Sequence, residues 1–159
     1  MKRKIDPKFM MLAIKEAGRN LKKPDGGPFG ACIVKNGNVI AVGRNTVLRN
    51  DASCHAEINA IREASKKLKT YDLSGCEIYS TTEPCPMCFS AIHWARIDAV
   101  VFGTGISDAR KIGFNELGIS AKKMKKMGGS GISITAGFML EECRGLFAAW
   151  ERSPFKKVY

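Results

Sequence analysis

The chain has 159 residues, 45% of them hydrophobic, which fits one compact domain with a real core. Its opening run, MKRKIDPKFMMLAIKEAG, stops being apolar at Ile14 and is too short and interrupted for a secretory or membrane segment, so the expectation is a soluble, cytoplasmic chain with no membrane partner. Lys and Arg total 26 against 15 Asp and Glu, a net charge of +11 that admits nucleic acid as a partner without favouring it. The lysines fall in short clusters, at Lys2 and Lys4, Lys22 and Lys23, 66–69, 122–126, and Lys156 with Lys157, as on solvated faces, rather than in one aromatic-interleaved strip.

In chain order, Asp6 and Pro7 form an N-cap and first-turn pair, and Phe9, Leu12, Ala13, Ala17 and Leu21 follow at helical spacing. PDGGPFG is a turn-rich loop. FGACIVKNGNVIAVGRN predicts two strands joined at Asn36 and Gly37, a strong hairpin pair. Ile58, Ile61, Ala64 and Leu68 mark a second helix, with His55 and Glu57 in its first turn. CEIYSTTE is a strand that delivers the chain into PCPMC, where Pro84 suits the first position of a third helix reaching about Arg96. DAVVFGT has the continuous apolar character of a buried strand, GISITAGFM near residue 131 predicts another, and a last helix starts at Glu141. Strands alternating with helices predict a two- or three-layer α/β domain; there is no internal repeat and no composition break.

The stretch ASCHAEINA, residues 52–60, puts His55 and Glu57 two positions apart at a helix start, a pattern shared by metal sites and ordinary caps. The distinction comes from about thirty residues on, where Cys85 and Cys88 stand one helical turn apart, the spacing of a thiolate metal grip. Six cysteines in a chain read as intracellular favour metal or core roles over disulfides. Both half-motifs sit at helix starts, whose partial positive ends favour ionised thiolates. A nitrogen and two sulfurs suit zinc, and three protein ligands leave a fourth position for water, as in a catalytic site. Cys54 adjoins His55 and would have to turn back across it, while His93 lies off the face shared by Cys85, Cys88 and Ile92. Cys32, Cys76 and Cys143 are small core or surface residues. A carboxylate at Glu57, beside such a water, can take its proton. The non-enzymatic alternative is a small zinc-bearing binding module, which requires a fourth protein ligand, with Cys54 the residue to watch.

H-x-E followed by P-C-x-x-C is the zinc deaminase signature, and over nearly its whole length the chain resembles the cytidine deaminase-like superfamily. That resemblance implies a three-layer α/β/α fold with a central mixed five-stranded sheet and one Zn2+ per subunit. It also implies hydrolytic deamination of a nucleobase, with zinc-bound hydroxide as nucleophile and Glu57 as proton shuttle. His55 in place of cysteine and the two-residue cysteine spacing set aside the free-nucleoside cytidine deaminases and the riboflavin-pathway deaminases. Within the remaining branch, GGPFGA at 26–31, EPCPMC with AIHWAR at 83–96, the GF-plus-acid segment at 113–116 and the tail with Phe147, Trp150 and Tyr159 look most like bacterial guanine deaminases; residues 118–131 match poorly. By that likeness Asn45 hydrogen-bonds a purine, Phe29 and Trp94 pack on its ring, and the Ala56 N–H reaches its carbonyl. Glu116, where relatives usually have Asp, assists proton transfer or recognises the base. The tail from about residue 140 crosses to a second subunit of a homodimer, where Tyr159 closes the partner's site. The expected reaction is guanine to xanthine plus ammonia. A tRNA adenosine deaminase is the alternative, resembled through TTEPCPMC and favoured by charge; Trp94, the GF segment and the tyrosine tail speak against it, and cytosine deaminase is a weaker third reading.

Overall fold

Asp6 starts the first helix as its residue type suggests: its carboxylate accepts the Lys8 N–H at 3.0 Å and Pro7 takes the first position. In the computed structural model, which describes residues 4–159 and so leaves Lys2 of the N-terminal basic cluster outside, α1 runs Pro7–Gly18. It buries Phe9, Met10, Ala13 and Ala17. Leu12, expected on that stripe, faces solvent, because the helix turns Met10 inward instead. Leu21 falls beyond α1 in the 3-10 turn Arg19–Leu21.

The hairpin forms as expected. Strands β1 (Gly30–Lys35) and β2 (Asn38–Arg44) are joined by Asn36 and Gly37 at φ 50° and 75°, the left-handed pair whose twist matches that of the strands. After α2 (Ala56–Leu68) and β3 (Cys76–Thr82) comes α3 (Pro86–Trp94), whose first-turn proline is Pro86; Pro84 stands before the capping residue. The chain continues through β4 (Ala99–Thr104), α4 (Ile106–Lys111), α5 (Ala121–Gly128), β5 (Ser133–Thr135) and α6 (Leu140–Glu151). Helices α4 and α5 are absent from the sequence reading. The first is too short to show a period. The second shows only Ala121 and Met124 against its lysines, although Ser120 caps it and Gly129 ends it in a left-handed turn.

The sheet order is β2-β1-β3-β4-β5, antiparallel from β2 to β3 and parallel from β3 to β5, the mixed five-stranded sheet of the expected α/β class. Alternate residues feed two cores. Ala31, Ile33, Ile78 and Val100 face α2, α3 and α5, while Cys32, Val34, Tyr79 and Val101 face α1 and α6. With both faces covered, β3 and β4 are buried along their whole length. A third, smaller cluster of Phe114, Phe147 and Trp150, packed with Phe29 and Tyr159, lies under the C-terminal tail. No helix among the described residues is long and apolar enough to cross a membrane.

Close approach of α1 to the sheet depends on Gly30, where a Cβ would run into the Ala13 carbonyl. Gly145, by contrast, lies on the exposed side of α6 with open space around it. Gly30→Ala is expected to cost about 1–3 kcal/mol or more by overpacking, whereas Gly145→Ala should gain up to about 1 kcal/mol of helix propensity. Urea unfolding of the two variants measures both signs.

Candidate active site

Both metal half-motifs are helix caps that do no capping. His55 is the N-cap of α2 and Cys85 the N-cap of α3; both have extended backbones, the imidazole makes no bond to its own helix, and the Cys85 sulfur pairs with Cys88 one turn on. That frees the imidazole and the thiolate to face each other, with His55 Nδ1 3.7 Å from Cys85 Sγ. Cys88, one turn into α3, joins them, and the three ligand atoms lie within 4.8 Å of one another. A tetrahedral zinc with bonds of about 2.3 Å to sulfur and about 2.0 Å to nitrogen needs an S···N separation of about 3.5 Å, so the residues fit the ion.

Among the described residues no fourth protein ligand joins the group. The Cys54 sulfur is engaged by Asp51 and Arg62, at 3.5 and 3.3 Å, and His93 bonds Ser130 at 3.1 Å. Cys32, Cys76 and Cys143 are buried core thiols, and all six cysteines are free. Among the described residues the group thus offers three ligands, one fewer than a closed tetrahedral site needs.

Glu57, in the first turn of α2, is buried against this cluster. Its Oε2 is 3.5 Å from Cys88 Sγ, and its Oε1 receives the Ser80 hydroxyl at 3.0 Å. Burial raises its proton affinity above that of a free carboxyl, against the pull of His55. Burial disfavours charge on His55, but the hydrogen bond to Cys85 and the charge of Glu57 outweigh it and push the ring up to about 9. The Cys88 hydrogen bond first, and His55 after it, hold Cys85 down to about 4 despite burial, while Cys88, as the donor in that bond, is raised. Before metal enters, the cluster is thus a thiolate beside an imidazolium and a thiol.

A small cavity of about 190 Å³ opens onto His55, Glu57 and Cys85. Phe29, Asn45 and Glu116 line it, as expected, and so does Tyr159. Phe29 meets Phe114 edge-to-face at 4.8 Å. Asn45 does double duty: its Oδ1 accepts the Val47 N–H at 3.1 Å, stiffening its own loop, while its side chain also bonds the Tyr159 hydroxyl. Burial, then the Cys85 charge, push Glu116 up to about 7. Ala56 opens α2 behind His55, so its N–H belongs to the first turn, where backbone donors lack helical partners. Trp94 does not belong to this cavity. Its ring is 79% exposed at the far end of α3, beside Phe89, Met124 and Ser130, because nine residues of helix carry it away from the metal end.

The tail lies across its own chain's cavity. Tyr159 Oη accepts the Gly27 N–H at 3.2 Å, its terminal carbonyl accepts the Asn115 N–H at 3.1 Å, and its ring packs edge-on against Phe114. Sequence reading missed Glu83. Its carboxylate accepts Ile106 N–H at 3.1 Å and Ala121 N–H at 2.8 Å, tying the starts of α4 and α5 to the loop before Cys85. It opens the EPCPMC motif, but its bracing role could not be read there, because both partners lie in segments with no recognised helix.

Residues 3–104 match the cytidine and deoxycytidylate deaminase zinc-binding region. The chain is 40% identical over 152 residues to the guanine deaminase of Bacillus subtilis, covering 95% of this chain and 97% of that one. It is 35% identical to the tRNA-specific adenosine deaminase of the same organism, covering 96% and 92%. A crystal structure of Nitrosomonas europaea guanine deaminase superposes with a TM-score of 0.82 at 30% identity, covering 92% of this chain and 84% of that chain. One of Bacillus subtilis guanine deaminase superposes with a TM-score of 0.67 at 44% identity, and covers only 71% and 73%.

Zinc requires deprotonated ligands, so its binding to this cluster should displace about two protons, one from His55 and one from Cys88, and tighten as pH rises from 6 to 8. Calorimetric titration in buffers of different ionisation enthalpy counts those protons, and Cys88→Ser should lose stoichiometric zinc. Ligand set, sheet order and matched region agree: the chain belongs to the cytidine and deoxycytidylate deaminase zinc-binding family and is a zinc-dependent aminohydrolase.

Proposed function

We propose that the substrate is guanine, hydrolysed to xanthine and ammonia. The observation that carries this reading is the cavity in which Phe29, Asn45, Glu116 and Tyr159 stand over His55, Glu57 and Cys85. It is the slot that a flat bicyclic base with polar edges would fill. Likeness over almost the full length to a guanine deaminase supports it.

His55, Cys85 and Cys88 would hold the zinc, which supplies Lewis acidity that draws the pKa of water towards about 7. Glu57 takes one water proton and delivers it to the ring nitrogen next to C2 as the water oxygen bonds to C2. It then carries the second water proton to the exocyclic amine; the C2–N bond breaks, ammonia leaves, and C2 keeps the oxygen as the carbonyl of xanthine. A buried carboxyl with raised proton affinity suits both transfers. Phe29 packs on the ring. Because the Asn45 carbonyl oxygen is occupied by Val47, that side chain serves the base as a donor from Nδ2. The first-turn N–H of Ala56 is free for the base carbonyl, and Glu116 receives a ring N–H or lends its proton.

The working form in this reading is a cytoplasmic homodimer. Free cysteines fit a reducing compartment. The tail, seated here on its own cavity through Tyr159, is in this reading exchangeable between subunits. Light scattering should give two chains per particle.

The second reading, deamination of adenosine in tRNA, is favoured by the +11 charge and by the four lysines of α5. An ammonia-release screen over guanine, adenine, cytosine, their nucleosides and tRNA separates the two. Guanine turnover should be nearly indifferent to salt, whereas tRNA turnover would fall steeply with it. Glu57→Gln should keep its zinc and lose about 10²- to 10⁴-fold in kcat; a variant with near wild-type turnover would remove Glu57 from the mechanism.

A further inference from the structure

Ser80 neither ligates nor lines the cavity, yet it touches the group on which the chemistry turns. It lies in β3, 2% exposed, paired with Ala31 of β1 and Phe102 of β4, where the apolar face of the sheet gives way to the buried hydroxyls of Thr82 and Thr104. Its hydroxyl has two acceptors within reach, Glu57 Oε1 at 3.0 Å and the Thr82 carbonyl at 2.7 Å, and a single proton to give. When Glu57 is ionised, Ser80 donates to it. One hydroxyl on a central strand therefore anchors one carboxylate oxygen, and the Thr82 carbonyl beside it fixes where that hydroxyl sits.

We propose that Ser80 is a positioning residue, which keeps the Glu57 carboxylate aimed at the metal cluster. The proposal rests on reading Glu57 as the proton carrier. The other carboxylate oxygen, Oε2, meets the Cys88 sulfur at 3.5 Å, a weak partner, and the residue's own backbone N–H is the one further hydrogen-bond donor to the carboxylate, so Ser80 is its side-chain anchor from the sheet. An orienting neighbour of this kind changes turnover more than binding, since the substrate never meets it.

The test uses the full-length zinc-loaded protein and two variants. Ser80→Ala should fold and keep its zinc, lose about 10- to 100-fold in kcat, and leave KM nearly unchanged; Ser80→Thr, which keeps the hydroxyl, should recover most of the loss. A crystal structure of zinc-loaded Ser80→Ala should show the Glu57 carboxylate turned from its place. The proposal is overturned by a Ser80→Ala kcat equal to wild type, by a loss confined to KM, by a threonine variant no better than alanine, or by an unmoved carboxylate. If the wild type releases no ammonia from guanine, the guanine reading fails. The Ser80 comparison then runs on whichever base the wild type deaminates, and the crystal structure decides it without any turnover.

Discussion

Two helices begin at the same point, and everything chemical in this protein follows from that constraint. The N-termini of α2 and α3 are both partially positive and would repel if brought together bare. What lies between them is anionic: Cys85 held as a thiolate, Cys88 ready to become one, and Glu57. A zinc ion with two thiolates and a neutral imidazole is close to neutral, so the helix ends, the ligands and the ion balance one another. The cap positions are what make this possible. A serine or aspartate at residue 55 or 85 would turn back on its own helix, as Asp6 and Ser120 do.

The sheet supplies the rest of the geometry. The chain enters α3 directly from the end of β3, and α2 is pressed onto β1 and β2, close enough that Gly43 has no room for a side chain beside Ala56 and Ala60. The substrate side is braced separately. Asn20, wholly buried, donates to the carbonyls of Gly27 and Asn45, both at 2.8 Å, and accepts from Arg44 at 3.0 Å. Arg44 in turn binds Glu16 and Asp25. The loop bearing Phe29 and the residue Asn45 is thereby tied to the body of the fold by a fully satisfied polar network, the kind that holds one geometry rather than several.

The elements whose signals are local were legible in the sequence. Asn36-Gly37 announces the hairpin, Asp6-Pro7 the first helix, and His55, Cys85 and Cys88 the metal cluster with Glu57 beside it, because residue type and spacing suffice for each. What depends on distant partners was not. Glu83 and Asn20 act through backbone groups of segments far along the chain, and Ser80 looks like any strand serine until Glu57 is seen above it. Helix α5 was hidden because its buried face is only Ala121 and Met124. Trp94 was placed on the substrate by likeness alone, and the length of α3 carries it elsewhere.

The chemistry of this protein stands on one ion with an open position. X-ray absorption at the zinc edge of the loaded protein tests this most directly. The predicted first shell is two sulfurs at about 2.3 Å and two light atoms at about 2.0 Å, one from His55 and one from solvent. A third sulfur in that shell, or no ordered zinc at all, would contradict the account.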